Sequence, residues 1–246
     1  MSELLENPLL SLFAGITFFL YGMTMASQAL EKLMASRISR LLNKLSDSQF
    51  LAIVVGISLT TLLQSSGAVT SMLVGLGSAK VITLPQVMGV IIGTAIGSTL
   101  TVQLISLNLG QYAFPLFIVS FFIYFLAKKP GIRNISMVFI GFSFLFLGLG
   151  LMSHSAHFYA QSESLKSYFA TLQSNPHLSL FISMIFCAFV HSSAVTIGLA
   201  MSLAQAGVIT LDNAMFWVYG ANIGTTSTAL IAAVGSNHVG RQVAWA

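Results

Sequence analysis

The sequence predicts an all-α polytopic membrane protein with two inverted-topology repeats. Each repeat contains a re-entrant helical hairpin and a Gly/Thr-rich interrupted helix. Three observations carry this expectation. Lys and Arg number 10 and Asp and Glu six among 246 residues, 7% of the chain, against about 25% in soluble domains. Two apolar stretches of half a membrane's length meet polar tips and then continue apolar. Four sequence blocks recur in order, 126 or 127 positions apart.

Charge scarcity excludes soluble enzymes, secreted disulfide scaffolds and disordered tails, because so few ionised side chains cannot cover a water-facing surface. No charged residue lies inside a long apolar run. A site at bilayer depth must therefore be built from hydroxyls, amides, an imidazole and backbone dipoles. The net charge of +4 implies no nucleic-acid partner, since the basic residues sit at span edges, where they set orientation. The lone Cys187 reads as a small buried hydrophobe. The acidic start Met1–Glu6 lacks the basic flank of a signal peptide, so the first apolar stretch is expected to be retained.

A span needs about 20 apolar residues. Pro8–Leu30, Gln86–Leu107 and Asn213–Val234 meet that length, and Tyr112–Ala127 and Asn134–Met152 come close. Phe50–Leu63 instead meets Gln64-Ser65-Ser66-Gly67 before turning apolar through Ala79. Leu178–Val190 meets His191-Ser192-Ser193 and continues to Ala206. Half-length apolar segments joined at a polar tip are the pattern of re-entrant hairpins. Read so, with the N-terminus outside, nine of the ten basic residues fall on the inner side, Lys166 being the exception. Reading the first stretch as a full span splits them, so the positive-inside rule favours hairpins. The polar stretch Ser153–His177 is then external.

Phe13–Gly22 matches Phe139–Gly148, and Gln64-Ser65-Ser66 matches His191-Ser192-Ser193. Val81–Leu84 repeats as Val208–Leu211, and Gly93–Thr99 as Gly220–Thr226. Three crossings separate the hairpins, so they enter from opposite sides and the repeats are antiparallel. Residues 1–107 form the first repeat, 108–133 a linking span and 134–246 the second repeat. Inverted repeats with interrupted helices are transporter architecture.

In each hairpin the second half-helix starts at the Ser-Ser pair. A helix start offers unpaired N–H groups and roughly half a positive charge, which suits an anion. Ser65, Ser66, Ser192 and Ser193 add hydroxyls, Gly67 permits close backbone approach, and Gln64 and His191 occupy equivalent positions. Unwound Gly93–Thr99 and Gly220–Thr226 would expose oxygens beside Thr94, Ser98, Thr99, Asn222, Thr225 and Thr226, ligands that suit Na⁺. Taken singly, a Ser-Ser pair reads as an N-cap and these glycines as helix-packing residues. Recurrence at matched positions favours function. His154, His157 and His177 read as surface residues, His238 as unspecific, Asn108 and Gln103 as interfacial or packing groups. Phe114–Phe125 reads as lipid-facing or packing surface.

Gln64–Thr70, His191–Thr196 and Gly220–Thr226 resemble the paired signatures of the sodium-dependent (type II Na⁺/Pi) phosphate cotransporters, over about Phe13–Val234. The resemblance implies inorganic phosphate between the tips with Na⁺ alongside, as a symporter of the inner (plasma) membrane with no organic cofactor. By it Gln64, Ser65, Ser66, His191, Ser192 and Ser193 contact phosphate or Na⁺, and Thr94, Ser98, Thr99, Asn222, Thr225 and Thr226 complete the site. The chain departs from the family at Gly67, where Ser is usual, at His191, where Gln is usual, and at Ala95, which stands opposite Asn222. The resemblance also implies further helices after Ala246, so the second repeat is expected to be truncated. A homo-oligomer is left open.

Two other readings share the scaffold. Export of phosphate, or carriage of another small oxyanion, uses the same tips. An intramembrane hydrolase built on Ser192 or Ser193 with His191 fits poorly. Neighbours on one short turn cannot supply nucleophile, base and orienting acid, and no acid lies in an apolar run.

Overall fold

The computed structural model describes residues 7–42, 48–107, 109–161, 171 and 174–245, with side chains undescribed at 35–42 and 104. Every regular element among them is helical: α1 (Pro8–Leu42), α2 (Gln49–Leu63), α3 (Ser66–Ser78), α4 (Leu84–Ser106), a 3-10 turn (Leu109–Tyr112), α5 (Ala113–Leu126), α6 (Pro130–Gln161), α7 (Pro176–Val190), α8 (Ser193–Gln205), α9 (Leu211–Thr225), α10 (Ser227–Ala232) and α11 (His238–Trp245). Met1–Glu6, Lys44, Asn108 and Lys166 lie outside the described residues.

Four helical stretches are long and apolar enough to cross a membrane: Pro8–Met34, Leu84–Gln103, Leu109–Leu126 and Pro130–Gln161. They correspond to four of the five expected spans. The fifth, Asn213–Val234, is two helices, α9 and α10, that meet at Thr226; the interruption expected over Gly220–Thr226 is confined to its last residue, and Gly220–Thr225 is helical rather than unwound. The polar stretch after Met152 is also partly helical, because α6 continues to Gln161.

The chain forms two compact units. One takes the chain up to Ala26 together with Leu107–Gly224, and the other takes Ser27–Ser106 together with the chain from Thr225. The second unit has a continuous core in which Val55, Leu59, Val69, Leu73, Val87 and Val90 are almost completely buried. That core joins α2, α3 and α4 to the short α10 and α11 through Ala233 and Val243.

Helices in lipid gain little from apolar burial against one another, so close approach depends on small residues. In the second unit α2 and α4 touch backbone to backbone. A Cβ on Gly93 would run into the carbonyl oxygen of Ile53, and one on Gly56 into that of Val90. One turn on, Gly97 faces Thr60, whose side chain is fully buried. The first unit repeats this contact between α7 and α9: a Cβ on Gly220 would strike the carbonyl of Leu180, and one on Gly224 that of Met184. There the contact is also hydrogen-bonded. Ser183 Oγ donates to the Trp217 carbonyl at 2.5 Å, and Cys187 Sγ to that of Ala221 at 3.1 Å.

This packing explains a second correction. Gly93–Thr99 is not unwound but lies inside the continuous helix α4. Its glycines seat α2, and its hydroxyls turn back on their own helix. Thr94 donates to Ile91 O at 2.7 Å, Ser98 to Ala95 O at 2.8 Å and Thr99 to Ile96 O at 2.7 Å.

Within the first unit α1 and α6 cross antiparallel through a reciprocal pair of glycine contacts. A Cβ on Gly15 would lie 2.8 Å from Gly148 O, and one on Gly141 2.6 Å from Gly22 O. Gly141 and Gly148 stand 126 positions after Gly15 and Gly22. Each glycine therefore meets the counterpart of its own block's other glycine, the signature of a local two-fold contact.

Gly93→Ala and Gly220→Ala should each destabilise the detergent-solubilised protein by about 1–3 kcal/mol through overpacking. Gly75→Ala, where a Cβ would meet nothing within 4 Å, should not lower the midpoint of thermal unfolding. Equal midpoints for all three would contradict the packing described.

Candidate functional site

The two polar tips are tight turns with the same backbone. Gln64 ends α2 at φ 53°, ψ 21°, and His191 ends α7 at φ 56°, ψ 26°. Ser65 follows at φ −151°, ψ 107°, and Ser192 at φ −143°, ψ 105°. The left-handed region costs a non-glycine residue about 1–2 kcal/mol. Helices usually end there on Gly, so Gln and His at both turns mark positions where a side chain is kept despite strain, a feature that clusters at functional sites.

The Ser-Ser pair divides its work. Ser65 is the N-cap of α3, its Oγ accepting from Ala68 N at 3.1 Å. Ser192 caps α8 in the same way, accepting from Val195 N at 3.3 Å. The second serines, Ser66 and Ser193, open the helices, and their hydroxyls make no hydrogen bond among the described residues. Both are half-buried. The first amides of a helix have no partner within it, so the second serine's hydroxyl stands beside such N–H groups at each turn. That donor set suits an oxyanion.

The turn in the second unit is braced by neighbours. Gln64 Nε2 donates to Thr61 O at 2.6 Å, and its Oε1 accepts from Thr101 Oγ1 at 3.0 Å. One N–H of its amide remains. Ser27 Oγ donates to Leu63 O at 2.5 Å. Gly67 lies against Thr228, since a Cβ there would sit 2.9 Å from Thr228 Oγ1, and that hydroxyl donates to Thr225 O at 2.8 Å. A Ser at 67 would thus crowd Thr228, which accounts for Gly. In the first unit His191 is exposed, with its amide bonded to Cys187 O at 2.8 Å; its ring makes no hydrogen bond among the described residues.

Sequence reasoning missed Thr101 and Thr228. They too are 127 positions apart, two residues beyond the matched blocks, and both reach the Gln64–Gly67 turn. Extending the repeat comparison past Thr99 and Thr226 would have found them.

The expected Na⁺ ligands are placed less tightly. Thr94 is buried, Ser98 and Thr225 are half-buried, and Thr99, Asn222 and Thr226 are exposed. The carbonyls freed where α9 ends are largely taken: Thr225 O accepts from Thr228 and Thr226 O from Ala229 N. What remains for a cation is the Asn222 side-chain oxygen and hydroxyl lone pairs, since a hydroxyl that donates can still coordinate.

The Na⁺/Pi-cotransporter family model matches residues 18–154 and 157–243. The chain belongs to the Na⁺/Pi-cotransporter family. It is 32% identical over 238 residues to "Uncharacterized protein YqeW" of Bacillus subtilis, covering 97% of this chain and 77% of that one. It is 25% identical over 237 residues to "Putative inorganic phosphate export protein YjbB" of Escherichia coli K12, covering 96% of this chain and 44% of that one. The same figures describe the Salmonella typhimurium protein of that name. The chain thus spans less than half the length of the YjbB proteins. No solved structure matches it. Family membership and the four apolar helices make this a membrane protein of a transporter family rather than an enzyme family.

Ser65→Ala and Ser192→Ala should each cost about 1 kcal/mol of stability through the lost cap. Ser66→Ala and Ser193→Ala should leave the unfolding midpoint unchanged. The opposite pattern would reverse the assignment of cap and free hydroxyl.

Proposed function

We propose that the chain is the core of a secondary transporter moving inorganic phosphate across the cytoplasmic membrane with Na⁺ as coupling ion. The observation that carries this reading is the matched pair of turns, each with a strained residue, a capping serine and a second serine left unbonded at a helix start. Phosphate is bound by the helix-start amides with Ser66 and Ser193, while Ser65 and Ser192 shape the turns, Gln64 and His191 each offer a donor and Gly67 admits the backbone. Na⁺ is the second substrate, drawn to hydroxyl oxygens among Thr94, Ser98, Thr99, Thr225 and Thr226 and the Asn222 amide. With no fixed positive side chain at either turn, a co-bound cation lowers the cost of holding the anion at low dielectric.

The reciprocal glycine crossing of α1 and α6 supports the inverted-repeat reading, because Gly15 meets Gly148 and Gly22 meets Gly141, so the two matched blocks run oppositely where they touch. Half-length helices α2, α3, α7 and α8 support re-entrant hairpins. A second reading, export rather than uptake, is favoured by the relatives named for phosphate export.

Labelled phosphate flux in proteoliposomes tests these readings, with the Na⁺ gradient set inward, outward or absent. Flux that follows the gradient supports coupling. Phosphate flux indifferent to Na⁺ removes the coupling, and no flux or binding removes phosphate. Ser66→Ala and Ser193→Ala should each weaken phosphate binding about tenfold or more, the order expected when a hydrogen bond to a charged group is lost.

A further inference from the structure

The link between α5 and α6 gathers cations where helix electrostatics disfavours them. Lys128 and Lys129 join the two helices, and Arg133 lies in the first turns of α6; all three are exposed. Lys129 occupies the N-cap position, its carbonyl accepting from Arg133 N at 3.1 Å. Cations near a helix N-terminus face the positive end of the macrodipole and are unfavourable there. No acidic residue stands in the first turn of α6. The sequence has no Asp or Glu between Asp47 and Glu163. Nothing in this stretch of chain therefore neutralises the cluster.

Arg133 is nonetheless held in place. Its Nη2 donates to Tyr124 OH at 2.8 Å, and its guanidinium carbon lies 4.6 Å from the centre of the Tyr124 ring. This leaves most of its N–H donors unused. Gly131, between the lysines and Arg133, has open space where a Cβ would stand. The last turns of α5 expose Phe121, Phe122, Phe125 and Leu126, with Phe125 75% and Leu126 72% accessible. A cationic turn with one anchored guanidinium thus directly follows an uncovered apolar and aromatic stretch of α5.

We propose that this turn binds the phosphate headgroup of an anionic phospholipid, with the acyl chains lying along Phe121, Phe125 and Leu126. The anion supplies the charge missing at the N-terminus of α6, and each basic residue near an anionic leaflet adds to the attraction. The adjoining apolar surface selects a lipid over free phosphate, because a soluble ion gains nothing from it.

The test uses the purified full chain in neutral detergent, titrated with phosphatidylglycerol or phosphatidylcholine and read by native mass spectrometry. Phosphatidylglycerol should be retained about tenfold more strongly than phosphatidylcholine, the order expected for several basic residues at an anionic headgroup. K128A/K129A/R133A should abolish the preference, whereas Arg241→Ala, a basic residue elsewhere, should keep it. K128R/K129R, which retains charge, should also keep it and guards against loss by misfolding. Millimolar inorganic phosphate should not displace the lipid. Equal retention of the two lipids, preference surviving in K128A/K129A/R133A, loss in K128R/K129R or displacement by inorganic phosphate would each overturn the proposal.

Discussion

The contact on which the turns depend is backbone against backbone, made where the helix before each turn meets a later glycine-bearing helix. Hydrocarbon is as apolar as Leu, so two such helices are held by dispersion at short range and by hydrogen bonds. Gly56 and Gly93 let α2 and α4 close to carbonyl contact, and Gly220 and Gly224 do the same for α7 and α9. That closeness sets where α2 ends, so that Thr101 on α4 reaches the Gln64 carboxamide. The two copies differ in one respect. Ser183 and Cys187 bond across the α7–α9 contact, whereas their counterparts Gly56 and Thr60 leave the α2–α4 contact unbonded, and Thr60 Oγ1 is buried without a partner among the described residues.

The turns show why a Ser-Ser pair is more than two copies of one donor. Extended backbone at the first serine aims its oxygen back at the helix it starts, satisfying an amide at the third position. The second serine already has helical geometry, and its hydroxyl makes no hydrogen bond among the described residues. Each turn therefore presents one unbonded hydroxyl beside helix-start amides, with the capping hydroxyl as support. Side chains kept in the left-handed region at Gln64 and His191 add an element that differs between the turns, an amide already committed to Thr61 and Thr101 in one and an exposed imidazole in the other.

Much of this was legible in the sequence, for identifiable reasons. Apolar length and charge placement are properties of composition along the chain, so the spans over α1, α4, α5 and α6 and the helix breaks at Gln64 and His191 could be read directly. Glycine is ambiguous in the same reading. It both breaks helices and lets them touch, and at Gly93–Thr99 the second role prevailed because α2 lies against it and the local hydroxyls bond within the helix. In Gly220–Thr226 the same ambiguity shortened the expected interruption to Thr226, since Gly220 and Gly224 seat α9 against α7 and Gly220–Thr225 stays helical.

The sequence alone determined that the chain lives in a membrane, that two polar tips interrupt half-length helices, and that neither tip carries Asp, Glu, Lys or Arg. These follow from residue type and spacing, which need no partner to be read. The tertiary structure decided which serine of each pair caps and which is left unbonded, that α4 stays continuous, and that Thr101 and Thr228 converge on one turn. Those outcomes depend on which backbone groups find partners across a contact. Hydrogen bonds between segments 37 residues apart, as for Gln64 and Thr101, are set by how closely helices pack rather than by either segment's own composition.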